Sequence, residues 1–227
     1  MMKKNEMKLP KAVLWDMDGT LIDSEKYWIE IETELAANHG VTWTEELAQR
    51  MVGNSMEDSA KLMREVGVNV TLDEFLDFCN VRMIEKVKKH APYRPGALET
   101  LQLLKENDIP CALVTMSYRP FAQAFLDSVP KDTFTVTVTG DMVKNGKPHP
   151  DPYLLAIELL NKEGYDVTAK KCVAVEDSIP GATSAVAAGV KTIGIPLFSP
   201  IETMDTITIW KTLAGVTLED FSELLNA

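Results

Sequence analysis

The sequence has little that would tie the chain to an oxidising compartment or to a membrane. Its three cysteines, Cys79, Cys111 and Cys172, are odd in number, far apart and without metal-ligand spacing, which favours buried, reduced thiols. No apolar run approaches the ~18 uninterrupted residues that a membrane span needs. Only a very short apolar run follows the charged N-terminal segment, so a secretory leader is not indicated. We therefore expect a cytoplasmic protein with no membrane partner.

Positive charge is also scarce. The 227 residues include 34 acidic and 23 basic side chains, which gives a formal net charge of −11. An acidic field of this size disfavours binding to nucleic acid and to anionic membrane surfaces. It would also repel an anionic small substrate, unless a metal ion or a local lysine reverses the sign inside the site. The length and the 45% hydrophobic content allow one large domain or two smaller ones.

Strand-like and helix-like segments alternate along most of the chain. Short continuous apolar runs, which are typical of a parallel sheet buried on both faces, occur at residues 12–15, 111–115, 134–138, 172–175 and 192–195. Helical patterns occur at residues 97–107, 119–128, 151–164 and 179–189. This order predicts an α/β fold with a doubly wound, Rossmann-like parallel sheet, in which ligands bind at the carboxyl ends of the strands.

A long interruption without any strand pattern separates the first predicted strand from the second. Residues 24–38 have an apolar helical face and end near Gly40, while Ser55 and Thr71 begin sequences typical of capping boxes. A crossover between strands does not need so much chain, so we expect an inserted all-helical domain. The predicted division is an α/β core of residues 1–23 and 93–227 and a helical domain of residues 24–92, with hinges at 23–24 and 91–96.

Polar side chains follow the predicted strands at their ends. They are Asp16 and Asp18 after the first strand, Thr115 and Ser117 after the second, Lys147 after the third, and Glu176 and Asp177 after the fourth. Because the carboxyl ends of such strands converge on one crevice, we expect these side chains to lie together. The crevice would hold four carboxylates, two hydroxyls and one lysine.

Four carboxylates in one crevice require a counter-charge. Oxygen ligands without cysteine or histidine suit a hard cation, and a few carboxylates with water suit Mg²⁺ better than a full Ca²⁺ cage. A Ca²⁺ loop of the EF-hand type does not fit, since Gly19 comes two positions early and the twelfth position is Tyr27 rather than glutamate. The cofactor that this pattern predicts is Mg²⁺.

A lysine and a threonine opposite Mg²⁺ describe a site for a phosphate group. The lysine balances the charge of the oxyanion, and the hydroxyl and exposed backbone amides donate hydrogen bonds. One aspartate is then free to attack phosphorus and form an aspartyl-phosphate. The other can protonate the leaving oxygen and later activate water. Gly19 would permit the sharp turn that presents both aspartates.

Taken together, these motifs resemble those of the haloacid dehalogenase superfamily, in the branch with a helical C1-type cap inserted after the first motif. The resemblance extends from Leu9 to about Leu197 and includes four motifs in the expected order. They are DMDGT, the threonine of LVTMS, the lysine of GKPHPDPY, and VEDS. Each motif is weak alone, and the ordered set is specific.

The resemblance implies roles for individual residues. Asp16 would be the nucleophile and Asp18 the acid/base, with Thr115 and Lys147 completing the catalytic set. The residues implied for Mg²⁺ are Asp16, the backbone carbonyl of Asp18, Asp177 and, close to the metal, Glu176. The residues implied for the phosphoryl group are Thr115, the Met116 amide and Lys147.

The second aspartate favours phosphate-ester hydrolysis or phosphoryl transfer over dehalogenation, because family members that cleave carbon–halogen bonds lack it. The sub-branch that this chain is most similar to includes sugar-phosphate phosphatases and β-phosphoglucomutases. Mutases of that kind place an arginine in the cap hinge and a histidine in the first cap helix, where this chain has Met56 and Trp28. The resemblance therefore implies a phosphatase for a small phosphorylated metabolite such as a sugar phosphate, with a phosphomutase as the alternative.

Two other classes of protein stay open as alternatives. A phospho-aspartate signalling module combines the same residue types, but it is much shorter and has no helical insertion. A catalytically silent binding protein would not need the complete set of motifs. Candidates for substrate specificity are Trp28, Asn54, Ser117 and Arg119, and the sequence specifies no oligomeric state.

Overall fold

Six parallel strands form a sheet in the computed structural model of the protein, which describes residues 7–51 and 55–226. The strands are β1 (Ala12–Trp15), β2 (Cys111–Val114), β3 (Val136–Val138), β4 (Cys172–Glu176), β5 (Lys191–Gly194) and β6 (Thr208–Ile209). Their order across the sheet is β3-β2-β1-β4-β5-β6, and every neighbouring pair is parallel. Every residue of β1, β2 and β4 is buried, which explains why these strands appear as continuous apolar runs.

The described residues between β1 and β2 first form four α-helices, which we call the helical insertion. They are α1 (Glu25–Asn38), α2 (Glu45–Gln49), α3 (Met56–Glu65) and α4 (Leu72–Lys89). The described residues of this insertion contribute no strand to the sheet. Thr71 forms the complete capping box at the start of α4, since its Oγ1 accepts from the Glu74 N–H at 3.2 Å and its own N–H donates to Glu74 at 2.8 Å.

In the α/β part of the chain, the described residues form five further α-helices. They are α5 (Ala97–Glu106), α6 (Arg119–Leu126), α7 (Asp151–Lys162), α8 (Ile179–Ala187) and α9 (Leu218–Asn226). The alternating side chains of β1 separate these helices into two layers. Val13 and Trp15 pack with apolar residues of α5, α6 and α9, and Ala12 and Leu14 pack with those of α7 and α8. The doubly wound α/β fold that the sequence predicts is thus confirmed.

The helical insertion is held against the core mainly through α4. This helix packs on α1 and α3 within the insertion and on α6 of the core. Its buried residues Phe75, Cys79, Met83 and Val87 recur every four positions and form one apolar stripe. Fully burying an aliphatic or aromatic side chain contributes about 1.5–3 kcal/mol, so this stripe is a main source of cohesion for the insertion.

Some elements have no counterpart in the sequence-based prediction. Short α2, the two-residue strand β6 and the C-terminal helix α9 were not indicated, since β6 is exposed and lacks an apolar run. Strand β3 begins at Val136, two residues later than expected. The three cysteines are buried and outside any disulfide, as predicted. No helix in the described ranges has both the length and the apolarity needed to cross a membrane.

Candidate active site

The sheet brings the polar residues at the strand ends to one edge. Strand β1 lies between β2 and β4, so Asp16, Thr115 and Glu176 end or follow three adjacent strands. The backbone extends the ladder at this edge, since the Asp16 N–H donates to the Val175 carbonyl at 3.1 Å. The crevice expected from the sequence therefore exists, and its floor is the rigid carboxyl edge of the sheet.

Lys147 reaches this edge from the loop between β3 and α7. Its ammonium lies 2.7 Å from Asp16 Oδ1 and 2.6 Å from Glu176 Oε1, and it donates to the Val114 carbonyl at 2.9 Å. Burial lowers the pKa of Lys147, but the charges of Asp16 and Glu176 outweigh burial and raise this pKa above its ordinary value. Lys147 is therefore a buried, permanently charged cation rather than a solvated loop residue.

Tyr153, which the sequence analysis missed, supports this ion pair from α7. Its fully buried hydroxyl donates to Glu176 Oε1 at 2.5 Å. Burial raises the pKa of Glu176 to about 7, while the charge of Lys147 and the Tyr153 hydrogen bond act in the opposite direction. One sequence signal could have identified Tyr153, namely a tyrosine in the first turn of a helix expected to pack on the sheet. A buried tyrosine usually needs a hydrogen-bond partner for its hydroxyl.

Three carboxylates gather beside this ion pair. Asp16, Glu176 and Asp177 each place an oxygen within 4.8 Å of the others. Asp16 Oδ2 is buried and has no hydrogen-bond partner among the residues that the structure describes. Burial, followed by the charges of Asp16 and Glu176, raises the pKa of Asp177 well above its usual range. An unpartnered buried oxygen facing two further carboxylates fits a divalent cation with oxygen ligands.

Gly19 makes room for this cluster. Its φ of +84° is typical of glycine, and a Cβ at this position would lie 2.1 Å from Asp177 Oδ2. The Gly19 carbonyl also accepts a hydrogen bond from Arg94 at 2.5 Å. Arg94 donates in addition to the carbonyls of Ile195 and Pro196, at 2.9 and 3.1 Å, so it joins the loops after β1 and β5. The sequence analysis placed residue 94 in a hinge and gave it no role.

The carboxylate of Asp18 lies outside the three-carboxylate cluster and is held by hydroxyl groups. Ser24 donates to Asp18 Oδ1 and Ser117 donates to Oδ2, both at 2.6 Å, while Thr115 contributes a longer bond of 3.4 Å. Burial raises the pKa of Asp18, and the bonds from Ser117 and Ser24 offset part of this rise. A carboxyl group that keeps its proton to a higher pH suits a general acid.

A cavity of about 170 Å³ lies above these residues, between the sheet edge and the helical insertion. Its lower wall includes Asp16, Asp18, Thr115, Met116, Ser117, Lys147 and Asp177. Its upper wall, from the insertion, includes Glu25, Trp28, Glu32, Met51, Ser55, Met56, Ser59 and Phe75. The candidate site is thus a partly enclosed chamber. Its lower wall is charged, and its upper wall combines acidic, apolar and hydroxyl side chains.

The architecture and this site agree with a known family of enzymes. The model of the family described as haloacid dehalogenase-like hydrolase matches residues 13–195. The chain belongs to this family.

Individual relatives specify the type of hydrolase. The chain is 34% identical to the phosphorylated carbohydrates phosphatase of Thermotoga maritima over 81% of this chain and 83% of that protein. It is 32% identical to hexitol phosphatase A of Escherichia coli over 82% of each. CbbY from Rhodobacter sphaeroides, crystallised with phosphate, has a TM-score of 0.80 at 26% identity and covers 91% of this chain and 96% of its own. The chain is accordingly a haloacid dehalogenase-like hydrolase of the phosphatase type.

The four residues that the sequence analysis named as candidates for substrate specificity do not all lie at the cavity. Trp28 and Ser117 line the cavity, and the Trp28 ring packs edge-to-face on Phe121 with 6.1 Å between centroids. Arg119 is exposed and does not line the cavity, since its guanidinium contacts the Met142 sulfur at 3.3 Å. Asn54 lies outside the described residues. Both candidates that line the cavity also contact Asp18, since Ser117 and Trp28 each have a hydrogen bond with its carboxylate.

Proposed function

We propose that the protein is a Mg²⁺-dependent phosphatase that hydrolyses a small phosphorylated metabolite through an aspartyl-phosphate on Asp16. The observation that carries this proposal is the juxtaposition at Asp16. One oxygen of its carboxylate lies 2.7 Å from the buried Lys147 ammonium, and the other has no hydrogen-bond partner among the described residues. The carboxylates of Asp16, Asp177 and Glu176 each place an oxygen within 4.8 Å of the others. The family match and the phosphatases among the relatives support the same reaction.

In the first half-reaction an Asp16 carboxylate oxygen attacks phosphorus, and the bond between phosphorus and the ester oxygen breaks. Lys147, Thr115 and Met116 line the cavity. The Lys147 ammonium, the Thr115 hydroxyl and the Met116 amide would hold the phosphoryl oxygens. Asp18, with its raised pKa, gives its proton to the leaving oxygen. The products of this step are a free alcohol and a phosphorylated Asp16.

In the second half-reaction Asp18 accepts a proton from water as that water attacks phosphorus. The bond between phosphorus and the Asp16 oxygen breaks, which releases inorganic phosphate and restores the carboxylate. The Ser24 and Ser117 hydrogen bonds keep the Asp18 carboxyl in one orientation during both steps. The same group thus serves as acid and then as base without having to move.

Asp16, Asp177 and the backbone carbonyl of Asp18 would hold the Mg²⁺ ion. When bound, the ion supplies positive charge that offsets the carboxylates and the phosphoryl oxygens. Glu176 shares one oxygen between Lys147 and Tyr153, which favours a role in fixing Lys147 next to the metal. Its other oxygen packs against Gly181, where a Cβ would approach to 1.9 Å.

We further infer that residues 24–92 form a cap domain over a core of residues 1–23 and 93–227. The two connecting segments run side by side, since the Asp23 N–H donates to the Pro92 carbonyl at 2.8 Å and the Arg94 N–H donates to Leu21 at 2.9 Å. A paired double crossing of this kind gives the insertion a single, short hinge. It supports a cap that closes the chamber and controls the access of water.

The test is release of inorganic phosphate from a panel of phosphorylated sugars, nucleotides and small acids. We expect release in Mg²⁺, loss of release in EDTA, and at least about a thousandfold loss of kcat in Asp16→Asn. The matched control is Asp166→Asn, which changes a highly exposed aspartate far from the chamber. Release that persists in EDTA or in Asp16→Asn would overturn the proposal. Isomerisation of a sugar phosphate after priming with a bisphosphate, without net release, would identify a phosphomutase instead.

A further inference from the structure

Two carboxylates that the catalytic proposal does not use, Glu25 and Glu32, line the upper wall of the cavity. They are seven residues apart on α1, which is about two helical turns, so both lie on the same face of the helix. Glu32 is only 4% exposed and Glu25 is half-buried. Together they form a carboxylate pair above the charged floor, and we refer to them as the roof carboxylates.

The roof carboxylates have no cationic partner in the part of the chain that the structure describes. Two other acidic residues of α1 do have partners, because Glu34 pairs with Arg82 at 2.7 Å and Glu30 pairs with Lys86. None of the ion pairs among the described residues includes Glu25 or Glu32. Trp43 acts on Glu32 as a neutral hydrogen-bond donor, which does not balance its charge. Buried acidic side chains are almost always paired with a cation, so two carboxylates without one that face a cavity call for a ligand.

The described walls of the cavity have no available cationic side chain that could bind a second anionic group of a substrate. Lys147 is the single cationic side chain among the described lining residues, and it is already bonded to Asp16 and Glu176. Residues 52–54, whose structure is not described, are Val-Gly-Asn and carry no cationic side chain. A carboxylate or a second phosphate on the substrate would therefore face two acidic groups with no cation to balance it.

The rest of the roof favours a carbon skeleton with hydroxyl groups. Trp28, Met51, Met56 and Phe75 provide apolar surface, while Ser55 and Ser59 add hydroxyls between them. Hydroxyl groups can both donate to carboxylates and accept from serine, whereas an ammonium group can only donate. The mixture of acceptors, hydroxyls and apolar surface on this wall therefore suits a polyol more than an amine.

We propose that Glu25 and Glu32 are specificity-determining residues that bind the hydroxyl groups of an uncharged, polyhydroxylated leaving group and exclude substrates with a second anionic group. The inference rests on the phosphatase function proposed above and names its substrate class. It also disfavours a phosphomutase, because a bisphosphate would have to place its second phosphate against the roof carboxylates.

The charge state of the roof in the absence of substrate is consistent with this role. Burial, followed by the neighbouring Asp18 charge, raises the pKa of Glu25 to about 7. Burial, followed by the charge of Glu25, raises the pKa of Glu32 to about 8. Near neutral pH the pair can share a proton, and the protonated carboxyl can donate a hydrogen bond to a substrate hydroxyl as well as accept one.

The test compares four phosphorylated hexose derivatives of similar size that differ in charge. Sorbitol 6-phosphate and glucose 6-phosphate carry neutral hydroxyls, glucosamine 6-phosphate carries an amine, and 6-phosphogluconate carries a carboxylate. We expect kcat/KM for sorbitol 6-phosphate to exceed that for 6-phosphogluconate by at least about tenfold. In Glu25→Gln/Glu32→Gln the ratio should fall to within about threefold, chiefly through KM.

The matched control is Glu30→Gln, which neutralises an exposed glutamate of the same helix and should leave the ratio unchanged. Equal use of 6-phosphogluconate by the unmodified enzyme, or an unchanged ratio in the double variant, would overturn the inference. A preference of tenfold or more for glucosamine 6-phosphate would also overturn it and assign the roof to a cationic ligand. Circular dichroism of each variant separates these outcomes from loss of fold.

A binding measurement distinguishes failure of this inference from failure of the phosphatase function. If no compound releases phosphate, the proposed reaction is wrong, and titration calorimetry of the same four compounds into Asp16→Asn still tests the roof. Sorbitol 6-phosphate should then bind at least about tenfold more tightly than 6-phosphogluconate. Equal affinities would reject the role of Glu25 and Glu32 whatever the reaction.

Discussion

At the scale of single residues, the site depends on a chain of contacts that begins at Tyr153, a residue to which the sequence analysis gave no role. Tyr153 holds Glu176, and Glu176 together with Asp16 holds the Lys147 ammonium. Each group of this chain is nearly or fully buried, so none can exchange its partner for water at low cost. The position of the lysine is therefore determined by α7 and β4 as much as by its own loop.

The first prediction concerns the Tyr153 hydroxyl. Tyr153→Phe removes the hydrogen bond to Glu176 and should lower the free energy of unfolding by about 1–3 kcal/mol, because a buried carboxylate oxygen loses a donor. We expect kcat to fall by about three- to tenfold, since Lys147 is less firmly placed. Urea unfolding and phosphate release measure the two effects. Tyr165→Phe, at an exposed tyrosine, should change neither, and an unchanged kcat in Tyr153→Phe would contradict the prediction.

The second prediction concerns Gly19. In Gly19→Ala the new Cβ would collide with the Asp177 carboxylate and displace it from the three-carboxylate cluster. We expect Mg²⁺ affinity to fall by at least about tenfold, because one oxygen ligand is lost or misplaced. Calorimetric titration with Mg²⁺ measures this directly.

Gly164→Ala is the matched control for Gly19→Ala. Gly164 has a similar φ of +93°, but a Cβ there would meet nothing within 4 Å. This variant should lose about 1 kcal/mol of stability from the backbone conformation alone and bind Mg²⁺ normally. Equal Mg²⁺ affinities in the two variants would show that the collision at Gly19 has no functional effect.

At the scale of elements, helix α1 has glutamates on two sides, one facing outward and the other facing the cavity. Glu30 and Glu34 lie on the outside and pair with cations of α4. Glu25 and Glu32 face inward, where burial raises the pKa of both. The amphipathic pattern of this helix is thus broken by two inward-facing glutamates that have no ion-pair partner among the described residues. Burying such groups lowers the stability of the fold.

The third prediction follows from that cost and concerns stability against pH. The pKa of Glu32 is about 8 in the folded protein and about 4.5 when unfolded, so the folded state binds more protons between these values. The contribution of Glu32 to the free energy of unfolding therefore becomes increasingly unfavourable to the folded state as the pH rises from about 4.5 to 8. The groups that face Glu32 are Glu25, Trp43 and Cys79.

Glu32→Gln removes this titration. The difference in free energy of unfolding, variant minus unmodified protein, should grow by up to about 4 kcal/mol between pH ~5 and pH ~8.5. Thermal and urea unfolding at several pH values measure it. Glu30→Gln should give a difference that does not change with pH in this range. A constant difference for Glu32→Gln would mean that Glu32 is not buried in an unfavourable environment.

At the scale of the whole molecule, the chain has a net charge of −11, and three of its carboxylates lie together at the sheet edge. A cation that binds only the folded protein shifts unfolding by mass action. The fourth prediction is that Mg²⁺ at about one hundred times its dissociation constant raises the free energy of unfolding by about 2.7 kcal/mol. EDTA should reverse the effect, which thermal unfolding detects.

Two controls separate this site from general screening of the acidic surface. Asp177→Asn should abolish the stabilisation by Mg²⁺, because it removes one negative charge and one carboxylate oxygen from the three-carboxylate cluster. Asp166→Asn, at an exposed aspartate, should preserve it. Potassium chloride at equal ionic strength should have little effect on either protein. Stabilisation of equal size in Asp177→Asn would place the effect on the surface and not in the chamber.

The sequence by itself determined strands β1 to β5 and the order along the chain of the polar residues at the strand ends. A parallel strand buried on both faces must be continuously apolar, and its carboxyl end is where polar residues can face a ligand. Both properties are local in the chain, so β1, β2 and β4 and the residues Asp16, Thr115 and Glu176 could be read from short segments. The helical insertion was predictable for the same reason, from its length, its caps and the absence of strand patterns.

Only the tertiary structure decided which side chains meet. The sequence placed Lys147 and Asp16 in one crevice, but their direct 2.7 Å contact across 131 positions came only from the structure. Tyr153 reaches Glu176 from a different layer, and no sequence pattern paired these two residues. Glu25 and Glu32 look like ordinary surface glutamates until α1 is packed with its acidic side over the sheet edge. Such contacts depend on how elements pack and on which faces are buried, and this information is spread over the whole chain. That is the physical reason why the motifs were visible in the sequence and the roof of the chamber was not.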